Sequence, residues 1–175
     1  MVIKEIDARS IGGLRDAVQA AGPLTHLGLI HGEFLEFLHA LAWFMGGPVD
    51  TVDAFLTEVP DPAAKEHRVY WLRGNSISSL AVGAHQGAQG VDEGHPIKLT
   101  GWVRPISDIK RVHVQDVGFQ WSWGEARGIP EEVRPTVQIH LDDRDIVIGA
   151  AGRTTQGARD QAATFISRLV DAFAR

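Results

Sequence analysis

The apolar residues of this chain change period at His67: before it they recur at three- and four-residue intervals, and after it they alternate, returning to the helical interval only past Thr155. Helical neighbours share a face about every 3.6 residues, whereas successive strand residues point to opposite faces. Neither an all-helical nor an all-strand fold satisfies both patterns. Their order predicts an α+β protein in which an N-terminal helical subdomain, residues 1–62, precedes an antiparallel β domain, residues 63–175, closed by one C-terminal amphipathic helix.

In the first segment, Ser10 stands where it would cap a short helix carrying Ile11, Leu14, Val18 and Ala21 on one face, with Gly22-Pro23 ending it. A second helix is expected over 25–45, where Leu27, Ile30, Phe34, Leu38, Leu41 and Met45 keep helical spacing and Gly46-Gly47-Pro48 stops the chain. Leu35, Phe37, Trp43 and Phe44 widen its apolar stripe until only a narrow polar strip is left. Such a helix must be covered on more than one side, by the rest of the chain or by a second copy. Val52, Phe55, Leu56 and Val59, at i, i+3, i+4 and i+7 behind Asp50 or Thr51, predict a third short helix.

Residues 67–73 and 76–85 read as a hairpin around Arg73-Gly74-Asn75-Ser76. Beyond a glycine-rich loop over 86–96, Ile97, Leu99, Gly101 and Val103 share one face of a half-buried strand, and Lys98, Thr100, Trp102 and Arg104 share the outward one. Residues 109–116 follow, with Val112 and Val114 inward and Arg111, His113 and Gln115 outward; Phe119, Trp121 and Trp123 mark a fifth strand. Val137, Ile139 and Leu141, then residues 146–150, complete a seven-stranded set. Thr154 or Thr155 caps the last helix, whose Ala158, Ala162, Phe165, Ile166, Leu169 and Phe173 form the face that needs a sheet to cover.

Seven short strands followed by one amphipathic helix resemble a pleckstrin-homology-like β-barrel. The stretch Pro105-Ile106-Ser107-Asp108-Ile109-Lys110-Arg111-Val112 resembles the approach to the fourth strand in bacterial members. The resemblance spans residues 66–174 and implies two bent sheets, packed orthogonally as a barrel or sandwich, with the helix closing one open corner. Members that bind phosphoinositides use clustered Lys and Arg on the first strand pair, and this chain departs from them with only Arg68 and Arg73 there. Others bind peptides along a sheet edge and the flank of the helix, which requires no basic cluster.

The absence of cysteine excludes disulfides, thiolate metal sites and a cysteine nucleophile. A net charge of -5 with scattered basic residues offers no footprint for nucleic acid. Residues 24–45 have the length of a membrane span but contain His26, His31, Glu33, Glu36 and His39, so membrane insertion is not expected. Lys4 and Glu5 interrupt the place of an export signal, and the excess of Arg over Lys is that of a GC-rich bacterial source, so a cytoplasmic bacterial protein is expected.

No catalytic residue and no cofactor site is expected. Ser76, Ser78, Ser79, Ser107 and Ser122 sit in no nucleophile elbow, and Gly87, Gly90 and Gly94 precede no helix. His31 and His39, with Glu36 between them, lack the i, i+4 pairing of zinc helices, and His85, Asp92, Glu93 and His95 read as a solvated loop, so no metal site is expected. The best recognition surface is Trp102, outward beside Arg104 and beside His113 on the next strand, unless the N-terminal helices cover it. The leading reading is a non-enzymatic interaction module that binds a protein partner or forms a homodimer through the second helix. The alternative is a small-molecule-binding protein or enzyme with a pocket between helices and sheet, lined by Trp71, Trp102, Trp121 or Trp123. A third reading, an acidic immunity or antagonist protein against a bacterial toxin, fits the size and charge.

Overall fold

In the computed structural model, which describes residues 8–84, 97–120, 132–150 and 152–175, helices α1 (Ala8–Val18) and α2 (His31–Met45) come first. Strands β1 (Ala54–Thr57), β2 (Glu66–Arg73), β3 (Ser76–Gly83) and β4 (Leu99–Pro105) then form one antiparallel sheet in that order. Strands β5 (Arg111–Gln120), β6 (Glu132–His140) and β7 (Asp145–Gly149) form a second, and α3 (Gln156–Phe173) ends the chain. The protein is therefore α+β with sheets of four and three strands, and the described residues form no closed barrel.

Strands β1, β2 and β3 of the four-stranded sheet are buried on both faces. Alternation sends Phe55, Val69, Trp71, Leu80 and Val82 into one core with Leu14 and Val18 of α1 and Phe37, Leu38, Leu41 and Met45 of α2. The opposite face sends Leu56, Tyr70, Leu72 and Ile77 into a second core with Val137, Ile139, Ile146 and Ile148 of the three-stranded sheet and Phe165 and Leu169 of α3. Helices, central sheet, and second sheet with α3 are thus successive layers. Each fully buried large side chain contributes about 1.5–3 kcal/mol.

The third helix expected over Val52 to Val59 is instead β1, preceded by a single 3₁₀ turn, Val49–Thr51. All four residues of β1 are buried, and a strand buried on both sides reads as a continuous apolar run that mimics helical spacing. The central sheet consequently begins inside the segment expected to be helical, 1–62. Seven strands are expected within residues 63–175, but the described residues hold six there, β2 to β7, and β1 lies before them. The strands read over 109–116 and from Phe119 are one strand, β5, with a bulge between Val114 and Asp116. The extra residue shifts the alternation and makes one strand look like two. Trp121 and Trp123 lie outside the described residues.

The helix expected over 25–45 is divided: a 3₁₀ turn, Thr25–Leu27, stops at Gly28 with φ 65°, and the chain extends through Ile30 before α2 begins. Glu33 accepts the Ile30 N–H at 2.8 Å and fixes that start. Ser10 lies inside α1 instead of capping it. Thr155 caps α3 as expected, accepting the Ala158 N–H at 3.2 Å. The wide stripe of α2 is covered by α1 and the central sheet, so most of it is unavailable to a second copy. No helix among the described residues is long and apolar enough to cross a membrane.

Candidate functional site

Trp102 and Arg104 share a face of β4, as the alternation requires, but that face looks into the core between the sheets. In the register Trp102 lies opposite Ser79 and Arg104 opposite Ile77. The Trp102 ring stands 6.3 Å from that of Tyr70, and Arg144 lies over it at 5.7 Å. Arg104 and Arg144 both reach the Asp143 carboxylate, at 2.9 and 2.8 Å, so the turn between β6 and β7 is latched to β4. The hydrogen bond from Arg144, reinforced by Arg104, holds the Asp143 carboxyl below its ordinary range. Val103, expected inward, is exposed. The outward placement of Trp102 is thus reversed, and what covers it is the second sheet's turn, not the N-terminal helices. His113 is exposed opposite Gln138 in the other sheet, and β4 and β5 are not paired, so the structure does not bring it to Trp102 and Arg104.

Among the described residues, the buried Trp102 Nε1 has no acceptor and the buried Ser79 Oγ no partner. A buried unmade hydrogen bond is a cost that an apolar replacement removes. Trp102→Phe is therefore expected to change the unfolding free energy by no more than about 1 kcal/mol, whereas Trp102→Ala loses about 3 kcal/mol through the cavity it leaves. Urea titration of the two variants checks the difference.

A second polar cluster was not read from the sequence. His67, 2% exposed, places Nε2 at 2.8 Å from Thr57 Oγ1, which donates to Val18 O at 2.8 Å. The hydroxyl has one proton, so the imidazole must donate from Nε2. Gln161 accepts the Thr57 N–H at 3.2 Å and donates to Ala17 O at 2.8 Å, while Arg153 donates to Thr57 O and Gly149 O, each at 2.7 Å. Tyr70 donates to Glu58 at 3.1 Å. Burial pushes the His67 imidazole down to about 4, with His26 adding to the effect, and pushes the Glu58 carboxyl and the Tyr70 hydroxyl up. Because these groups bond mainly backbone atoms of α1, β1 and β7, the cluster works as a clamp between layers. Its only trace in the sequence is Thr57 at the end of the apolar run 54–56 and His67 at the start of the alternation that continues with Val69 and Trp71.

Among the described residues no three His, Asp or Glu side chains converge to hold a metal ion. His31 and His39 instead line an open groove of about 620 Å³ between α1 and α2, with Ile11, Arg15, Phe34 and Leu35. His85, Asp92, Glu93 and His95 lie outside the described residues.

An unfinished surface lies on β5. It is an outer strand of its sheet, with no strand beyond it among the described residues. Val112 and Val114 pair with Ile139 and Val137; past the bulge Val117 and Phe119 return to the same face, opposite Pro135 and Val133. Only the near end of this stripe is in the core: Val112 packs there, while Val114, Val117 and Val133 are 53%, 37% and 47% exposed. Asp116 accepts the Val117 N–H at 2.8 Å, and such charges and bulges are how sheet edges avoid indiscriminate pairing. The other face is polar, with Gln138 linked to Gln115 and Asp145, and Asp145 to His140.

Compared with known proteins, the chain matches no protein-family model, no curated protein and no solved structure.

Proposed function

We propose that this chain is a non-enzymatic interaction module of the cytoplasm, built on a pleckstrin-homology-like pair of sheets, whose β5 edge receives an extended segment of a protein partner. The observation that carries this reading is the apolar stripe of Val114, Val117 and Val133 running past the core beside an outer strand. An added strand supplies main-chain hydrogen bonds along β5 and places alternate side chains on that stripe. What supports the family reading is two antiparallel sheets followed by α3; among the described residues of 66–174 each sheet has three strands, one fewer in total than the resemblance implies. Arg68 is 2.5 Å from Glu66, and Arg73 donates to Met45 O at 2.5 Å, so the two arginines of the first hairpin are engaged within the chain. That favours a peptide over an inositol phosphate. Between helices and sheet, where a small-molecule pocket was the alternative, Trp71 is buried among Phe37, Leu41, Met45, Phe55 and Leu80, which also favours the interaction reading.

Peptides selected from a random display library against the whole chain supply the probe. Binding of the consensus peptide, followed by fluorescence anisotropy, is expected to weaken at least about tenfold in Val117→Lys. It is expected to be unchanged in Val147→Lys, since Val147 is exposed opposite Gln138 on the polar face. Equal weakening by both substitutions, or by neither, contradicts a docking site on the β5 stripe.

A further inference from the structure

Once the layers are assembled, one face of α2 is left over. Its inward side carries Phe37, Leu38, Leu41, Ala42 and Met45, and its outward side presents Gly32, Glu36, His39 and Trp43. Those four are spaced i, i+4, i+7 and i+11, a single stripe along a helix. Trp43 is 51% exposed, and Phe44, 50% exposed, meets it edge to face at 4.9 Å. Two adjacent aromatic rings left half in water at one end of a stripe are costly unless something covers them. At the other end, a Cβ built on Gly32 meets nothing within 4 Å, and its φ is not positive, so neither packing nor backbone conformation within the chain requires a glycine there.

The stripe is complementary to itself. If a second α2 lies antiparallel along it, with the twofold axis at the level of Phe37 and Leu38, Trp43 falls on Gly32 of the second copy and Glu36 falls against His39 of the second copy. Twofold symmetry makes every contact twice. The large ring then fills the space over the small residue, and each carboxylate faces an imidazole that can donate to it.

We infer that this face binds a second copy of the chain, giving an antiparallel α2–α2 homodimer. The inference rests on the reading of the chain as an interaction module, but it uses a layer separated from β5 by the central sheet, so the two surfaces fail or stand independently. A helix of 15 residues is about 22 Å long. One helix of that length offers a small contact surface, which places the dimer at the weak, transient end of protein interfaces.

Sedimentation equilibrium of the full chain, from about 1 to 500 μM, tests the inference. The wild type is expected to show reversible monomer–dimer exchange, weakened about tenfold or more by Trp43→Ala. Glu36→Lys and His39→Glu are each expected to weaken it, the first by removing the carboxylate acceptor and the second by setting two carboxylates together, and the double variant to recover it by setting opposite charges across the axis. All the altered residues are exposed, and unchanged thermal melts verify that the variants are folded. A wild type that stays monomeric throughout, a dimer indifferent to Trp43→Ala, or a double variant no stronger than the single ones overturns it. Peptide binding at β5 measured on the same variants reports separately on that site.

Discussion

Phe165→Ala is expected to cost about 3–5 kcal/mol of unfolding free energy, the range for removing a fully buried aromatic ring. The side chain is fully buried where α3 meets the core between the two sheets, among residues of β1, β2, β6 and β7. No single element can collapse to fill the space, because each is held by its own sheet hydrogen bonds. Domains of this size have about 5–15 kcal/mol in total, so the variant should be partly unfolded at moderate urea concentrations. Phe173→Ala, on the same helix but 40% exposed, should lose less than about 1.5 kcal/mol. A chemical-denaturation series on the two variants settles whether α3 seals the second core. Equal, small losses would mean that the helix is not seated there.

Acidification is the second large effect. The His67 imidazole titrates near 4 in the folded chain and near 6.5 when unfolded, because burial opposes its charge. As pH falls through 6.5 the unfolded chain takes up a proton that the folded one refuses, so the stability is complete above that value and is lost down to about 4. At about 1.4 kcal/mol per pH unit the loss approaches 3 kcal/mol. Glu58, raised by burial, acts with the opposite sign: the folded state binds its proton first, and lowering the pH relieves a strain on the fold. His67→Gln separates the two, since an amide can still donate to Thr57 but does not titrate. Wild-type stability from urea titrations should fall between pH 7 and 4 by about 3 kcal/mol more than that of the variant. Parallel pH profiles would show that His67 is not held neutral in the core.

The parts of this fold that were legible in the sequence are those decided by neighbours along the chain. The hairpin at Gly74, the cap at Thr155 and the inward faces of α1 and α3 depend on residues within a few positions of one another. What was misread depends on distant partners. β1 is a strand because β2 pairs with it on one side and α3 packs against it, although its own spacing fits a helix equally well. Alternation separated Trp102 and Arg104 from Leu99 and Val103 correctly, but it does not say which side of β4 another layer will cover. That was decided by Asp143 and Arg144, from the far sheet. The clamp around Thr57 joins Ala17, His67, Arg153 and Gln161, residues that only the assembled layers bring together. The apolar stripe of β5 was hidden by its bulge, which splits one amphipathic strand into two apparent ones.

The docking of an extended segment on β5 is most directly tested by amide hydrogen exchange along residues 111–120, with and without the selected peptide. If a strand is added there, alternate β5 amides gain protection on binding, while β2 and β3, already paired on both sides, do not change. Binding that leaves β5 amides as they were, or that protects another element instead, would contradict the account.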